Sequence, residues 1–285
     1  MYRVIKGVSF AAAGKHISRV NIPVFAEAET LAYLDAVPTL KASLSRTPNS
    51  ANLTPYLRYR ALNDFVKNLK TNGIFAKLDY LGLPFLGQVE GGVSVNNPAF
   101  NCNLPTDVTI ATYSSKGVKF LKGWEFPMNF RIDNTAPISQ TFGAYNTLAR
   151  PTAQGDNLSI IMANSAAYLL LGRRVSGGLY SGLNPQSSLL RLQTLNRSYL
   201  TGLMLGVVTP TTTSCLIDSE WVTATQTFVT ASSKKFVIGG HTAGSTTAIL
   251  DAPLGTIVFA QPLSETEAKI LSANLDTLLA AFAVI

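Results

Sequence analysis

Gly255-Thr-Ile-Val-Phe-Ala-Gln-Pro-Leu-Ser264-Glu-Thr-Glu267 decides the fold of this 285-residue chain. The stretch opens as a strand of β-branched and aromatic residues and closes as the start of a helix. Ser264 suits the N-cap, and Glu267 stands three residues further on. Each side chain can therefore satisfy a backbone N–H that the first helical turn leaves without a partner. The helix is expected from Glu265 to Ala281. Along it Ile270, Leu271, Leu275, Leu278, Leu279 and Phe282 recur at three- and four-residue spacings, an apolar face that needs a larger body to dock on.

Working back along the chain, a second helix is expected from about Pro55 to Thr71. Thr54 is its N-cap and Pro55 its first helical residue, where a missing N–H costs nothing. Leu62, Phe65, Val66 and Leu69 share one face, and Asn72-Gly73 closes the helix because glycine tolerates a left-handed turn. From about Gly82 the texture changes to short β-prone runs cut by Gly, Pro, Asn and Ser. Fifteen strand candidates fall between Val93 and Ala260, among them Val108 to Tyr113 and the pair Ser214 to Ile217 and Glu220 to Val222. Short strands at this spacing argue for a sandwich or barrel rather than alternating β and α units. Residues 1–48 read as an N-terminal arm or attachment segment, in which Ala11 to His16 suggests a loop or short turn and Ala26 to Ala36 a helix ended by Pro38. Thr47-Pro-Asn-Ser50 reads as a linker.

Several of these stretches, taken in order, resemble bacteriophage structural proteins with a laminin-G-like, concanavalin A-like jelly-roll domain. The ending resembles their last strand, "G-x-I-x-x-F-x-x-x-L-S-x-x-E". Leu69-Lys-Thr-Asn-Gly-Ile-Phe-Ala-Lys-Leu-Asp79 resembles a lead-in of the form "L-K-x-x-G-I-W-x-K-x-D", with Phe75 in place of Trp. Ser159 to Gly172 resembles a strand pair of such a sandwich, and Lys235-Phe-Val-Ile-Gly-Gly240 its "f-x-I-G-G" strand. Cys215 to Thr223 occupies the place of a hairpin that carries Asn-Gly in the family and Asp218-Ser219 here. The resemblance implies a mainly β, antiparallel concanavalin A-like sandwich over 83–285, ending in the C-terminal helix and preceded by a helical lead-in over 49–82.

Composition agrees with a folded body, since 47% of the residues are hydrophobic and only 14% charged, far from a disordered chain. The formal net charge of +7 invites a nucleic-acid hypothesis. The basic residues are nonetheless dispersed: Arg173-Arg174, Lys234-Lys235, and a helical group of Arg58, Arg60, Lys67 and Lys70. No run of like charge or nucleic-acid motif appears, so no nucleic-acid partner is expected. Cys102 and Cys215 are two isolated cysteines with neither a disulfide framework nor metal-ligand spacing, and each reads as a small buried hydrophobe. Neither a secretory signal nor an apolar run long enough for a membrane span is read.

The search for catalytic chemistry finds little. Glycosidases on concanavalin A-like sandwiches carry carboxylates on alternate residues of one strand. Asp218-x-Glu220 is the nearest approach, without the longer row such an enzyme needs. His16 and His241 are the only histidines, too few to define a triad or a metal centre. Catalytic residues, cofactor and metal are therefore all expected to be absent. Carbohydrate binding instead needs aromatic rings beside amides or carboxylates in exposed places. Tyr145 with Asn146, Tyr180 with Asn184, Trp221 with Asp218, and His241 beside Gly239-Gly240 supply such sets, and Trp124 is a further ring.

With the resemblance, the expected function is a non-enzymatic structural component of a bacteriophage virion, as tail, collar, head fibre or capsid decoration. Its partners would be other virion proteins and a host-surface glycan. A homo-oligomer is expected, because closed symmetry is the default for such assemblies. The alternative is a carbohydrate-binding lectin or a glycan-cleaving enzyme outside any particle.

Overall fold

The strand anticipated near the C-terminus lies at the centre of the larger of two sheets. The computed structural model describes residues 10–12, 15–17, 27, 30, 53–86, 92–93, 104–129, 139–147, 152–153, 158–164, 169–174, 180–184, 201–217, 219–225, 235–240, 243–246 and 250–283. In it the strand is β18 (Leu254–Ala260), buried at every position. It pairs antiparallel with β8 (Gln140–Asn146) on one edge and with β3 (Leu78–Gly82) on the other. Beyond β8 come β13 (Gly202–Val208), β14 (Thr212–Ile217) and β15 (Glu220–Thr225), and beyond β3 comes β4 (Gly92–Val93). A hairpin of β5 (Ala111–Ser114) and β6 (Gly117–Phe120) joins β18 at Leu254, making nine strands.

The second sheet has five antiparallel strands, in the order β12 (Tyr180–Asn184), β11 (Leu169–Arg174), β10 (Leu158–Asn164), β16 (Lys235–Ile238) and β7 (Trp124–Asn129). Two small pairs complete the strands among the described residues: β1 (Phe10–Ala12) with β2 (Lys15–Ile17), and β9 (Thr152–Ala153) with β17 (Leu250–Asp251). Two long helices are described, α1 (Leu53–Thr71) and α2 (Glu265–Ala281).

Side chains alternate across a strand, so the larger sheet has two faces. On one, Tyr80, Phe142, Met204, Cys215, Ile257 and Phe259 meet Phe126, Phe236 and Ile238 of the smaller sheet. On the other, Leu81, Leu205, Leu216 and Val258 meet Leu62, Phe65 and Leu69 of α1 and Leu271, Leu275 and Leu279 of α2. The protein is thus a mainly β antiparallel sandwich, as expected, with the helices forming a third layer on the outside of the larger sheet. Burial on both faces explains why β13 and β18 read as nearly continuous apolar runs instead of alternating ones.

The helix ends follow their local chemistry. In α2 the Ser264 hydroxyl accepts from the Glu267 N–H at 3.3 Å, and the Glu267 carboxylate accepts from the Ser264 N–H at 2.9 Å. α1 closes on Gly73 at φ 71°, with Ile74 N–H donating to Leu69 O and Gly73 N–H to Lys70 O, both at 2.9–3.0 Å. This is a Schellman turn, with the fully buried Ile74 and Leu69 as its apolar contact.

Several expectations need correction. α1 starts at Leu53, so Thr54 and Pro55 lie within its first turn instead of capping it. Residues 108–110 form a turn, and β5 begins only at Ala111. Leu78–Gly82 is an inner strand of the larger sheet, so the boundary drawn at residue 82 separates from the sandwich one of its own strands. Within the stretch expected as a loop or short turn, Ala11 and Ala12 pair as strand with His16 and Lys15. Of the helix expected over 26–36, only Glu27 and Thr30 are described. Glu27 bonds to α1 through Asn63 Oδ1 at 2.9 Å and Lys70 Nζ at 2.8 Å, so at this point the N-terminal segment lies on its own chain. The linker at 47–50 and Cys102 lie outside the described residues.

Glu267 ties three elements together. Lys77, from the turn before β3, reaches its two carboxylate oxygens at 2.6 and 2.7 Å, across 190 positions of sequence. Burial pushes the carboxyl pKa up. The Lys77 hydrogen bond, the Ser264 backbone and hydroxyl groups and the Lys77 charge outweigh burial and hold it below its ordinary value. A lowered folded-state pKa contributes stability above the unfolded value, about 4.3, and that contribution disappears as pH falls through the folded value. Glu267→Gln keeps a capping amide but loses the ion pair. It should lower stability by about 0.5–1 kcal/mol at pH 7, and the gap from wild type should close in urea titrations repeated towards pH 3. A constant gap across that range would contradict the ion-pair role.

Candidate functional site

Of the seven residues expected to bind carbohydrate, the five that are described lie on three different strands and do not form one site. Tyr145 and Asn146, on central strand β8, are 3% and 2% exposed. The Tyr145 hydroxyl donates to Asp276 Oδ1 at 2.5 Å beneath α2, and burial, then that bond and the Asp276 charge, push its pKa up. A phenol so enclosed cannot stack on a sugar, and this pair is corrected to a strand-to-helix clamp. Tyr180 and Asn184 are the two ends of β12, paired with Arg174 and Leu170 on the other sheet. Asp218 and His241 lie outside the described residues. Trp124 is partly buried and packs on the core between the sheets, stacked on Phe120 at 6.0 Å and edge-on to Phe126 at 5.3 Å.

Trp221 is different. It stands on β15, at one edge of the larger sheet, half-buried and packed against the layer of apolar side chains beneath the helices. The hairpin that presents it turns through Ser219 in the left-handed region, φ 64°. Its strand pairing is Trp221 with Leu216, Thr223 with Ser214, and Thr225 with Thr212. Residues two apart on a strand share a face, so the indole continues into a ladder of hydroxyls. Ser214 Oγ and Thr223 Oγ1 are 2.8 Å apart. At the far end Thr212 Oγ1 lies 2.6 Å from Thr209 Oγ1, which also accepts from the Thr212 N–H at 3.0 Å. Thr223 and Thr225 are exposed. From Trp221 to Thr225 the strand rises about 13 Å, long enough to meet more than one sugar ring.

The sequence reading found the indole and missed the hydroxyls. The signal was present as threonine on alternate residues after Trp221, facing the Thr211-Thr-Thr-Ser214 run. It became meaningful only once the pairing register set Thr223 against Ser214 and Thr225 against Thr212.

A concavity of about 310 Å³ lies between α1 and α2, bordered by Leu57, Arg60, Asp64, Asn68, Asn274 and Leu278. Its polar groups are engaged with one another: Asn68 Nδ2 donates to Asn274 Oδ1 at 3.1 Å, and Arg60 faces Asp64 at 3.7 Å. The other helical cations also have partners, Lys70 on Glu27 and Arg58 over the Phe282 ring at 5.4 Å. Among the described residues no three His, Cys, Asp or Glu side chains gather to hold a metal. No helix among them is long and apolar enough to cross a membrane. Cys215 is fully buried, and burial pushes its thiol pKa up.

No family model and no curated protein matches the chain. Solved structures do. Trypanosoma rangeli sialidase matches at 12% identity with a TM-score of 0.45, over 77% of this chain and 39% of the sialidase. A mutant of that enzyme displaying trans-sialidase activity matches at 14% identity and 0.43, over the same shares of the two chains. Domain 4 of AbnA, an extracellular arabinanase of Geobacillus stearothermophilus, matches at 8% identity and 0.33, over 55% of this chain and 72% of the domain. The chain spans about two fifths of the length of the sialidases it matches. At these identities and TM-scores the likeness carries nothing about what this chain does. The expected non-enzymatic virion component is corrected here and not carried further, since the structures named above bear the names of glycoside hydrolases; at TM-scores below 0.5 they assign no role to this chain.

Proposed function

We propose that this chain binds carbohydrate on the β14–β15 surface, and that it does so without cleaving it. Trp221 is the stacking ring, and Thr223, Ser214, Thr225 and Thr212 are the hydrogen-bonding partners. The supporting observation is the half-buried indole running into a hydroxyl ladder on one face of an edge strand. A sugar ring has an apolar face and a rim of hydroxyls, so it needs an aromatic plane beside groups that both donate and accept. The buried side of the indole packs on the core, which fixes the exposed side before a ligand arrives and lowers the ordering cost of binding.

Cleavage would require two carboxyl groups flanking one bond. Glu220 pairs with Ile217 at the hairpin end, and strand alternation turns it to the face opposite Trp221. That placement supports a binding surface rather than a hydrolytic one.

Calorimetric titration of the whole chain with a panel of oligosaccharides tests the reading. Trp221→Ala should weaken binding about tenfold or more, which is about 1.4 kcal/mol, while its melting curve shows whether the sandwich persists. Wild-type protein that binds no member of the panel, or an indole-free variant that binds as wild type, would overturn the proposal.

A further inference from the structure

The charge distribution around the same surface carries a sharper statement, which rests on the glycan-binding reading. From Ser198 to Ser233 the sequence has no Lys, Arg or His across 36 consecutive residues, in a chain that has 23 Lys and Arg and a net charge of +7. The only charged residues in that stretch are Asp218 and Glu220. All of β13, β14 and β15 lie within it. α2, which lies over these strands, carries Glu265, Glu267, Asp276 and a single cation, Lys269, and its Glu267 is paired with Lys77. Lys269 is paired with Glu265 at 2.6 Å. Asp276 accepts the Tyr145 hydroxyl on the side of α2 that faces the sheet. The polar groups of the ladder itself are neutral hydroxyls.

We infer that the β14–β15 site selects uncharged glycans and rejects anionic ones that bear carboxylate or sulfate. A sialic acid, a uronate or a sulfated sugar needs a cation or a cluster of strong donors to replace the water it gives up. On β13, β14 and β15 such a ligand finds no cation to take up its charge, because none stands in the sequence of these strands. A neutral chain needs no such cation, and its hydroxyls match hydroxyls that act as donor and acceptor alike. The basic character of the whole molecule therefore misleads about the ligand, because the positive charge resides elsewhere in the chain.

An array of neutral, sialylated, uronate and sulfated glycans, probed with the whole chain at low and at physiological salt, decides the matter. Wild type should bind neutral members and fail on the anionic counterparts of the same backbones by about tenfold or more, and the signal should be lost in Trp221→Ala. Thr225→Lys, an exposed change that leaves the core intact, should admit the anionic counterparts, most clearly at low salt where charges are least screened. Trp221-dependent binding of anionic glycans at wild-type strength would overturn the inference and leave the glycan-binding reading standing. Thr225→Lys with unchanged discrimination would also count against it. No glycan bound, or binding indifferent to Trp221, would overturn the reading and the inference together.

Discussion

Phe259→Ala should cost about 3–5 kcal/mol, the range for removing a large buried aromatic side chain. Phe259 is fully buried on β18, and its ring meets Phe126 at 5.1 Å and Phe236 at 5.2 Å, with Tyr80 at 6.4 Å. Phe126 and Phe236 belong to the smaller sheet, so this one ring joins the two sheets. Deleting it opens a void flanked by rings whose own backbones are pinned in ladders, which limits collapse into the gap. Against a total stability of about 5–15 kcal/mol, the loss would shift the urea midpoint far below wild type. The control is Val108→Ala, 70% exposed in a turn, which should stay within about 0.5 kcal/mol. A Phe259 variant as stable as that control would show that the two sheets are not joined through this cluster.

Gly143→Ala should be at least as damaging, although it adds only one methyl group. Gly143 sits in the middle of β8, opposite Leu205 on β13 and Val258 on β18. A Cβ there would overlap the Met204 carbonyl oxygen and come within 2.9 Å of both Leu205 Cα and Leu205 Cδ2. Two of these three atoms are backbone, so no rotamer change relieves the clash, and the β8–β13 ladder must part. We expect a loss of more than about 4 kcal/mol, in the range reserved for a specific structural conflict. Hydrogen exchange would show lost protection over 140–146 and 202–208 if the variant can be isolated, and aggregation on expression is the other expected result. Wild-type protection in both segments would contradict the strand approach described here.

The two predictions differ in how visible they were beforehand. Phe259 stood inside the stretch that decided the fold, and its burial followed from the apolar pattern. Gly143 looked like any glycine in a β-prone run. Its necessity comes from how closely β8 and β13 approach, and those strands are separated by about sixty residues of sequence. Tyr145 makes the same point in reverse. By type and neighbour it qualified as a sugar-binding ring, yet it lies on the central strand beneath α2 and spends its hydroxyl on Asp276. Aromatic identity does not distinguish a platform from a core ring; position in the sheet does. Trp221 survives as a candidate because β15 lies at the sheet's edge.

Local sequence was enough for the features that depend on neighbours along the chain. The capping box at Ser264 and Glu267, the bounds of α2, the glycine turn after α1 and the hairpin between β14 and β15 all rest on interactions within a few residues. The sandwich class followed from many short strands with only two helices among them. Tertiary structure alone decided the rest, because it depends on partners far apart in sequence. It drew Leu78–Gly82 into the sheet beside β18, brought Lys77 onto Glu267, placed both helices on the outer face of the larger sheet, and paired Thr223 with Ser214 beside Trp221. A strand's two faces can be read from its own alternation, but the element that covers each face is selected by long-range packing. That selection buried Tyr145 and left part of Trp221 open to a ligand.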